Sequence, residues 1–223
     1  ICDFGGGTLD VTLMKTSIFD KSFTVSTKVI DGDQFLGGRD IDNALCEWTL
    51  KELKKNGYST DDEDDISMIL QRCTVAKESH SQENVTNYII LPKRKKIGGK
   101  ALDNPIQIDL TTFNTICQNI FDKISVPIQR VLDEQNITKD DVDGVLLVGG
   151  SSQNTKVQQV IEGFLGKPVL NFVQKRECIA QGACLYAAIQ TPGTDVISYK
   201  ELEEKTGNAV SNPVEEKLAH SLG

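Results

Sequence analysis

The sequence predicts an α/β fold, and three observations carry that prediction. Apolar residues alternate through about the first thirty positions, two glycine turns at Gly5-Gly6-Gly7 and Gly149-Gly150 each end a strand-like run, and stripes at helical spacing fill much of the chain between them. With 223 residues, 39% hydrophobic and 25% charged, the chain can bury a substantial core and build one or two subdomains.

Each element follows from a local pattern. Residues 1–30 read as a meander of two or three strands, with Val11 and Leu13, then Phe23 and Val25, alternating about a turn near Phe19-Asp20-Lys21-Ser22. A first helix is predicted from about Asp40, with Ile41, Ala44, Leu45 and Trp48 on one face and Asn56-Gly57 as its stop. The acidic run Asp61 to Asp65 suits the start of a second helix, whose stripe is Ile66, Ile69, Leu70, Cys73 and Ala76. Strands are expected around Val85 to Leu91 and Ile106 to Leu110. From Thr112 a helix carries Phe113, Ile116, Cys117, Ile120, Phe121 and Ile124 on one face, and Pro127 forces a kink or break. Val145 to Val148 reads as a buried strand, Gly149-Gly150-Ser151-Ser152 breaks it, and Lys156 to Leu165 reads as a helix. After Ile189 the chain turns charged and poor in apolar residues, as a linker or disordered tail does.

The run Asp3-Phe4-Gly5-Gly6-Gly7-Thr8-Leu9-Asp10 places three glycines between two carboxylates. Residues without Cβ let backbone N–H groups curl around an anion, while Thr8, Asp3 and Asp10 offer oxygen ligands to a hydrated cation. The implied chemistry is a nucleotide phosphate with Mg2+, K+ being a second candidate cation. A glycine-rich hairpin with no ligand fits the same stretch taken alone. The second unit, strand then Gly149-Gly150-Ser151-Ser152 then helix, lets a base or sugar approach the backbone beside free N–H donors.

Taken as a pair, the two turns resemble the phosphate and adenosine motifs of the actin-like ATPase superfamily. The wording DFGGGTLDV, then FLGGRDIDN, then VLLVGGSS is similar to the 70 kDa heat-shock chaperone (DnaK-type) family, over residues 1 to about 190. Val126-Pro127-Ile128-Gln129-Arg130-Val131-Leu132 resembles that family's long crossover helix. The resemblance implies an actin-like ATPase (ribonuclease H-like) lobe with an inserted α+β subdomain. Its base subdomain would comprise residues 1–30 and 116–190, the insertion 31–115, and the linker or disordered tail 191–223. It further implies that the chain corresponds to the second lobe of the family's nucleotide-binding domain, because Ile1-Cys2 already leads into the phosphate turn. The first lobe, with its own phosphate turn, the catalytic lysine and half of the metal site, is then expected to be absent.

Carried across residue by residue, the resemblance makes Asp3 and Asp10 the candidate catalytic and metal-binding residues, with Asp3 at the family's proposed water-orienting or cation-binding carboxylate. Gly5, Gly6 and Gly7 would cradle the β and γ phosphates, and Thr8 and Asp10 would help hold the cations. Gly37, Gly38, Lys77, Ser81, Gly149, Gly150, Ser151 and Gln153 complete the candidate nucleotide-binding set. Gly37-Gly38-Arg39-Asp40 matches the family's second acidic turn, with Arg39 in place of a glutamate. On the adenosine side Lys77 and Ser81 match, but Thr74 replaces a ribose-binding glutamate and Glu78 an arginine that stacks on adenine. Gln153 stands where a second arginine covers the other face of the base. Losing two stacks and a ribose bond, at about 1 kcal/mol each, lowers affinity by about two orders of magnitude. Lys175 and Arg176, which replace a Pro-Asp pair, are candidates to supply a cation instead.

The resemblance implies a parent protein that binds ATP or ADP with Mg2+ between two lobes, hydrolyses ATP with an oriented water and couples lobe closure to client-protein folding. Its partners would be J-domain cochaperones and nucleotide-exchange factors, the latter docking on residues 31–115, with clients held by a domain outside this chain. The chain alone is expected to be inactive, since phosphoryl transfer rests on positioning groups it lacks. A divergent, weakly or non-hydrolysing relative acting as co-chaperone or scaffold is the alternative, favoured by Arg39, Thr74, Glu78 and Gln153. A sugar kinase or cell-shape filament of the same superfold is disfavoured by FLGGRDIDN. Val196-Ile197-Ser198-Tyr199 stands where the family has a leucine-rich acidic linker.

The net charge of −8 disfavours nucleic-acid and anionic-membrane partners, and no run of eighteen apolar residues suggests a membrane span. Six cysteines without a CxxC pair read as buried free thiols in a reducing compartment, so a cytoplasmic setting is expected. The sequons Asn84-Val85-Thr86 and Asn136-Ile137-Thr138 keep the endoplasmic reticulum lumen as the alternative. His80 has no ligand-spaced neighbour, and Trp48 reads as core. Lys93-Arg94-Lys95-Lys96 reads as a solvated hairpin tip and Asp61 to Asp65 as a solvated face.

Overall fold

The computed structural model describes residues 1–19, 22–79, 87–170, 175, 177–190 and 214–215. Strand β1 (Cys2–Phe4) turns at the first glycine run into β2 (Leu9–Phe19), and β3 (Ser22–Asp33) extends the antiparallel meander. Strand alternation buries Cys2, Phe4, Leu9 and Val11 and puts Asp3 and Asp10 on the opposite face. The predicted turn closes with Phe19 paired to Ser22; Asp20 and Lys21 lie outside the described residues.

Helix α1 (Gly38–Lys55) begins two residues before the expected Asp40. Asp40 completes a capping interaction by accepting the Gly37 N–H at 2.7 Å. It ends as predicted, at Asn56 followed by Gly57 in the left-handed region. Its buried face is Ile41, Leu45, Cys46, Thr49 and Leu53, while Trp48 and Ala44 lie half-buried at its margin. Helix α2 (Glu63–Ser79) packs Ile69, Cys73 and Ala76 against it.

The acidic run at the start of α2 is more than a solvated face. Asp62 accepts the N–H groups of Asp64 and Asp65, and Asp65 accepts the Gly98 N–H at 2.8 Å. That bond docks the small hairpin of β5 (Lys96–Ile97) and β6 (Lys100–Ala101), which follows β4 (Asn87–Leu91). Lys93 and Arg94 are exposed in the turn before β5, with Arg94 at φ +67°, so the basic run leads into this hairpin while Gly98 and Gly99 form its tip. Strand β7 (Ile106–Asp109) pairs with β4.

The long stripe after β7 breaks into three helices: α3 (Leu110–Ile116), α4 (Gln118–Lys123) and α5 (Ser125–Glu134). Pro127 is the third residue of α5, where its missing N–H costs nothing but its ring bars a continuous helix from Lys123. The stripe stays on one side throughout, with Phe113, Cys117, Phe121 and Ile124 buried. Helix α5 lies on β2 and β3, and Arg130 clamps the end of β3 by pairing with Asp31 and donating to the Gly32 carbonyl.

The strand predicted over Val145 to Val148 is shorter: β8 is Leu147–Val148, and Val145 makes an isolated bridge to Val169. Helix α6 (Thr155–Leu165) matches the prediction and is capped by the Asn154 side chain. Helix α7 (Cys178–Gln190) and the short β9 (Val214–Glu215) complete the described elements. The main sheet has the order β8-β1-β2-β3-β9, parallel at β8·β1 and β3·β9 and antiparallel between, a mixed sheet within a mixed α/β chain.

Cys2, Cys46, Cys73 and Cys117 are buried free thiols, with Cys73 and Cys117 pushed up to about 12 by burial. Cys184 departs from the expectation, being exposed on α7, and Cys178 is half-buried there. His80, the Asn84 sequon, Ser81, Arg176 and residues 191–213 and 216–223 lie outside the described residues.

Phe121→Ala is expected to cost about 3–5 kcal/mol in a urea unfolding series, because it empties a fully buried site. Arg130→Ala, which breaks a half-exposed pair, should cost no more than about 1 kcal/mol. Equal costs for the two would contradict this assignment of the core.

Candidate functional site

The β1–β2 connection closes on itself when the Gly5 N–H donates to the Thr8 carbonyl at 3.0 Å. Antiparallel register sets Asp3 directly opposite Asp10, and the Thr8 hydroxyl donates to Asp10 Oδ2 at 3.0 Å. Burial first, and the charge of Asp10 second, raise the Asp3 carboxyl above its ordinary value.

Three distant segments meet on this turn. The Gly38 N–H donates to the Gly5 carbonyl at 3.0 Å and the Arg39 N–H to the Gly6 carbonyl at 2.8 Å, so α1 starts directly on the glycine run. The Ser151 hydroxyl, 146 residues away in sequence, donates to the same Gly5 carbonyl at 2.8 Å. The contacts are too close for side chains. A Cβ on Gly37 would fall 2.5 Å from the Gly7 backbone, and one on Gly149 would fall 2.4 Å from Asp3 Oδ1 and 2.5 Å from the Phe4 carbonyl. Gly149 also has φ +85°, which a side chain resists for its own reasons.

Beside the turn is a cavity of about 150 Å³, lined among others by Gly6, Lys77, Glu78, Gly150, Ser151 and Gln153. Six of the sequence candidates or their replacements thus share one wall. Lys77 reaches this wall with its charge already engaged: its ammonium pairs with Asp42 at 2.8 Å and donates to the Gly38 carbonyl at 3.1 Å. Both partners are nearly buried, at 16% and 10% side-chain exposure, so Lys77 ties α2 to the start of α1. Thr74 turns away, donating to the Leu70 carbonyl of its own helix at 3.2 Å. Lys175 accepts the Gly149 N–H on its carbonyl and reaches the Ser152 carbonyl with its ammonium, whose pKa burial lowers. Ser81 and Arg176 cannot be placed, lying outside the described residues.

Two residues, one behind the wall and one in it, were not singled out from sequence. Asp42 is the buried partner of Lys77, and its Oδ1 has no hydrogen-bond partner among the described residues. Its signal was a carboxylate next to Ile41 on the apolar face of α1. Asn154 caps α6 and lines the cavity; Asn one residue before a helix start is a standard cap signal.

The glycine cradle, with Asp3 and Asp10 opposed, fits a phosphate accompanied by a hydrated cation. Among the described residues no cluster of three or more His, Cys, Asp or Glu side chains could hold a bare metal ion. Mg2+ suits the pair better than a metal needing a full protein cage, since it keeps several waters and takes one or two carboxylates plus phosphate oxygens. Among the described residues no helix is long and apolar enough to cross a membrane.

A family model described as "Hsp70 protein" matches residues 1–203. The chain is 34% identical over 192 residues to a protein named "Heat shock 70 kDa protein, mitochondrial" from Pisum sativum, covering 85% of this chain and 28% of that protein. It is 30% identical over 194 residues to "Chaperone protein dnaK" of Phaeodactylum tricornutum, covering 85% and 30%. A "Chaperone protein DnaK" of Methanothermobacter thermautotrophicus is 30% identical over 196 residues, at 85% and 31%. The chain therefore spans roughly three tenths of the length of the curated relatives it matches.

Gly149→Ala should destabilise the protein by more than the roughly 1–2 kcal/mol that left-handed geometry alone costs, because its Cβ also strikes Asp3 and Phe4. Denaturant titration reads this directly, and a cost under that range would mean the two backbones sit further apart. Because the folded-state pKa of Asp3 is raised, the folded chain holds that proton more tightly and stability falls as pH rises through the window above 3.8. Asp3→Asn should raise the thermal midpoint at neutral pH, with the gain closing as the buffer is taken below that window; a gain that grows on acidification would refute it.

Proposed function

Because this chain belongs to the Hsp70 family, we propose that it forms the second lobe of an ATP-binding domain whose full-length parent couples nucleotide binding and hydrolysis to client-protein folding. The observation that carries the proposal is the convergence on the Gly5 carbonyl, where the first glycine turn, the start of α1 and the second glycine turn meet through Gly38 and Ser151. The mixed sheet and its strand, glycine turn, helix units are those expected of an actin-like lobe, with residues 31–115 as the inserted subdomain. A wall of about 150 Å³, below the roughly 300–1,000 Å³ of a complete small-molecule site, suits a pocket whose other side comes from a second lobe.

In this reading the backbone of Gly5, Gly6 and Gly7 cradles phosphates, and Thr8 orients Asp10. Asp3 and Asp10 hold the water shell of Mg2+, K+ being the second candidate. Asp3, as the carboxylate, accepts a hydrogen bond from the attacking water and orients it. Bound ATP supplies the reactive phosphoryl group, and the cation neutralises its charge. Lys77 positions rather than binds, keeping α1 against the turn through Asp42 and Gly38. Gly149, Gly150, Ser151 and Gln153 line the side on which the nucleoside lies, with Gly37 and Gly38 beneath the phosphates and Ser81 as a further member of the set. J-domain cochaperones, nucleotide-exchange factors and clients are the partners this function calls for, in the cytoplasm or the endoplasmic reticulum lumen.

A divergent member with a weakened adenosine site is the second reading, favoured by one observation. The hydroxyl of Thr74 is committed to its own helix, and Glu78 and Gln153 line the wall where two arginines would sandwich adenine. Calorimetry of ADP and ATP with Mg2+ on the full-length protein separates the readings. We expect binding weaker than the family's by about two orders of magnitude, recovered in a Glu78→Arg, Gln153→Arg double variant. Tight binding by the unmodified protein would support a working ATPase with a rebuilt adenine pocket; no binding by either protein would overturn the nucleotide reading.

A further inference from the structure

We propose that Arg39 is a phosphate-binding residue of this site, its guanidinium taking over part of the charge neutralisation that a divalent cation would otherwise supply; the inference rests on the nucleotide-binding reading above. Arg39 is the second residue of α1, and its N–H donates to the Gly6 carbonyl at 2.8 Å, which anchors the root of the side chain to the glycine turn. The guanidinium folds back over the same turn. A Cβ built on Gly7 falls 2.4 Å from Arg39 Nη2, 3.2 Å from Cζ and 3.3 Å from Nε, so the cation lies in the space that a side chain at Gly7 would fill.

Nothing in the described protein uses that charge. Arg39 is exposed, and none of the ion pairs among the described residues includes it, in contrast to Lys77 of α2, whose ammonium is neutralised by Asp42, about one turn beyond Arg39 on α1. A guanidinium offers five N–H donors in a rigid fork that matches phosphate oxygens two at a time, and it stays charged at any working pH. The turn it covers is the one whose three glycines expose backbone to an anion. Having a guanidinium where the resemblance places a carboxylate exchanges a negative charge for a positive one over Gly7, on the turn that connects the strands of Asp3 and Asp10. The anion is then held by protein charge directly, and the cation carries less of the load.

The test is isothermal titration of the full-length protein with ATP, ADP and adenosine, each in Mg2+ and in EDTA, for the unmodified protein and for Arg39→Ala, Arg39→Lys and Arg39→Glu. Arg39→Ala should weaken ATP and ADP by about tenfold or more, with the larger loss in EDTA, and leave adenosine unchanged. Arg39→Lys should recover part of the loss. Arg39→Glu should bind ATP only in Mg2+. If Arg39→Ala fails to fold, Arg39→Gln carries the same comparison. ATP binding that is unchanged in Arg39→Ala in both conditions overturns the role of Arg39 and leaves the nucleotide reading standing. A loss shared equally by adenosine assigns Arg39 a structural part and overturns the proposal as well. Absence of nucleotide binding by the unmodified protein removes both readings together.

Discussion

The architecture of this chain depends on a contact between backbones. Gly37 at the start of α1 lies against Gly7 at a separation that admits no Cβ, and two N–H to carbonyl bonds, from Gly38 to Gly5 and from Arg39 to Gly6, fix the alignment. Main-chain groups buried in this way must find partners, and here each segment satisfies the other. The result joins the β1–β2 hairpin, the first helix and, through Ser151, the β8 turn into one rigid junction. Everything proposed for the site, the opposed carboxylates, the cradle and Arg39, is held in place by it.

A second level of support comes from charge. The Lys77–Asp42 pair bridges α2 and α1 immediately behind the junction, with both side chains nearly out of water. Such a pair contributes little net stability compared with apolar packing, but removing one partner strands the other. Its value here is geometric: Lys77 also holds the Gly38 carbonyl, so the position of α2 is transmitted to the residue that touches the glycine turn. Cys73 and Cys117 lie near the same pair and are silent thiols, pushed to about 12 by burial.

The same wall carries opposite chemical tendencies. In the proposed reading its phosphate side keeps the glycine run and adds a guanidinium, whereas its adenosine side lacks two cations and a ribose partner; Thr74 is bonded into its helix, and Glu78 and Gln153 line the cavity. In that reading, a site so altered shifts recognition from the base toward the phosphates.

Local patterns were legible wherever a short stretch decides its own geometry. Two-residue alternation announced β1 to β3, Asn56-Gly57 ended α1 where expected, and the stripes of α1, α2, α3 and α4 identified the buried faces. The glycine turns announced a close approach of backbones because only residues without Cβ permit it. What a local pattern cannot carry is the partner across space. Asp65 docking a hairpin, β8 shrinking to two residues, and Lys77 finding Asp42 rather than solvent are all choices made by neighbours distant in sequence. Arg39 is the clearest case. Sequence alone showed a lost carboxylate, and only the fold, by laying that side chain over Gly7, showed where the new charge sits.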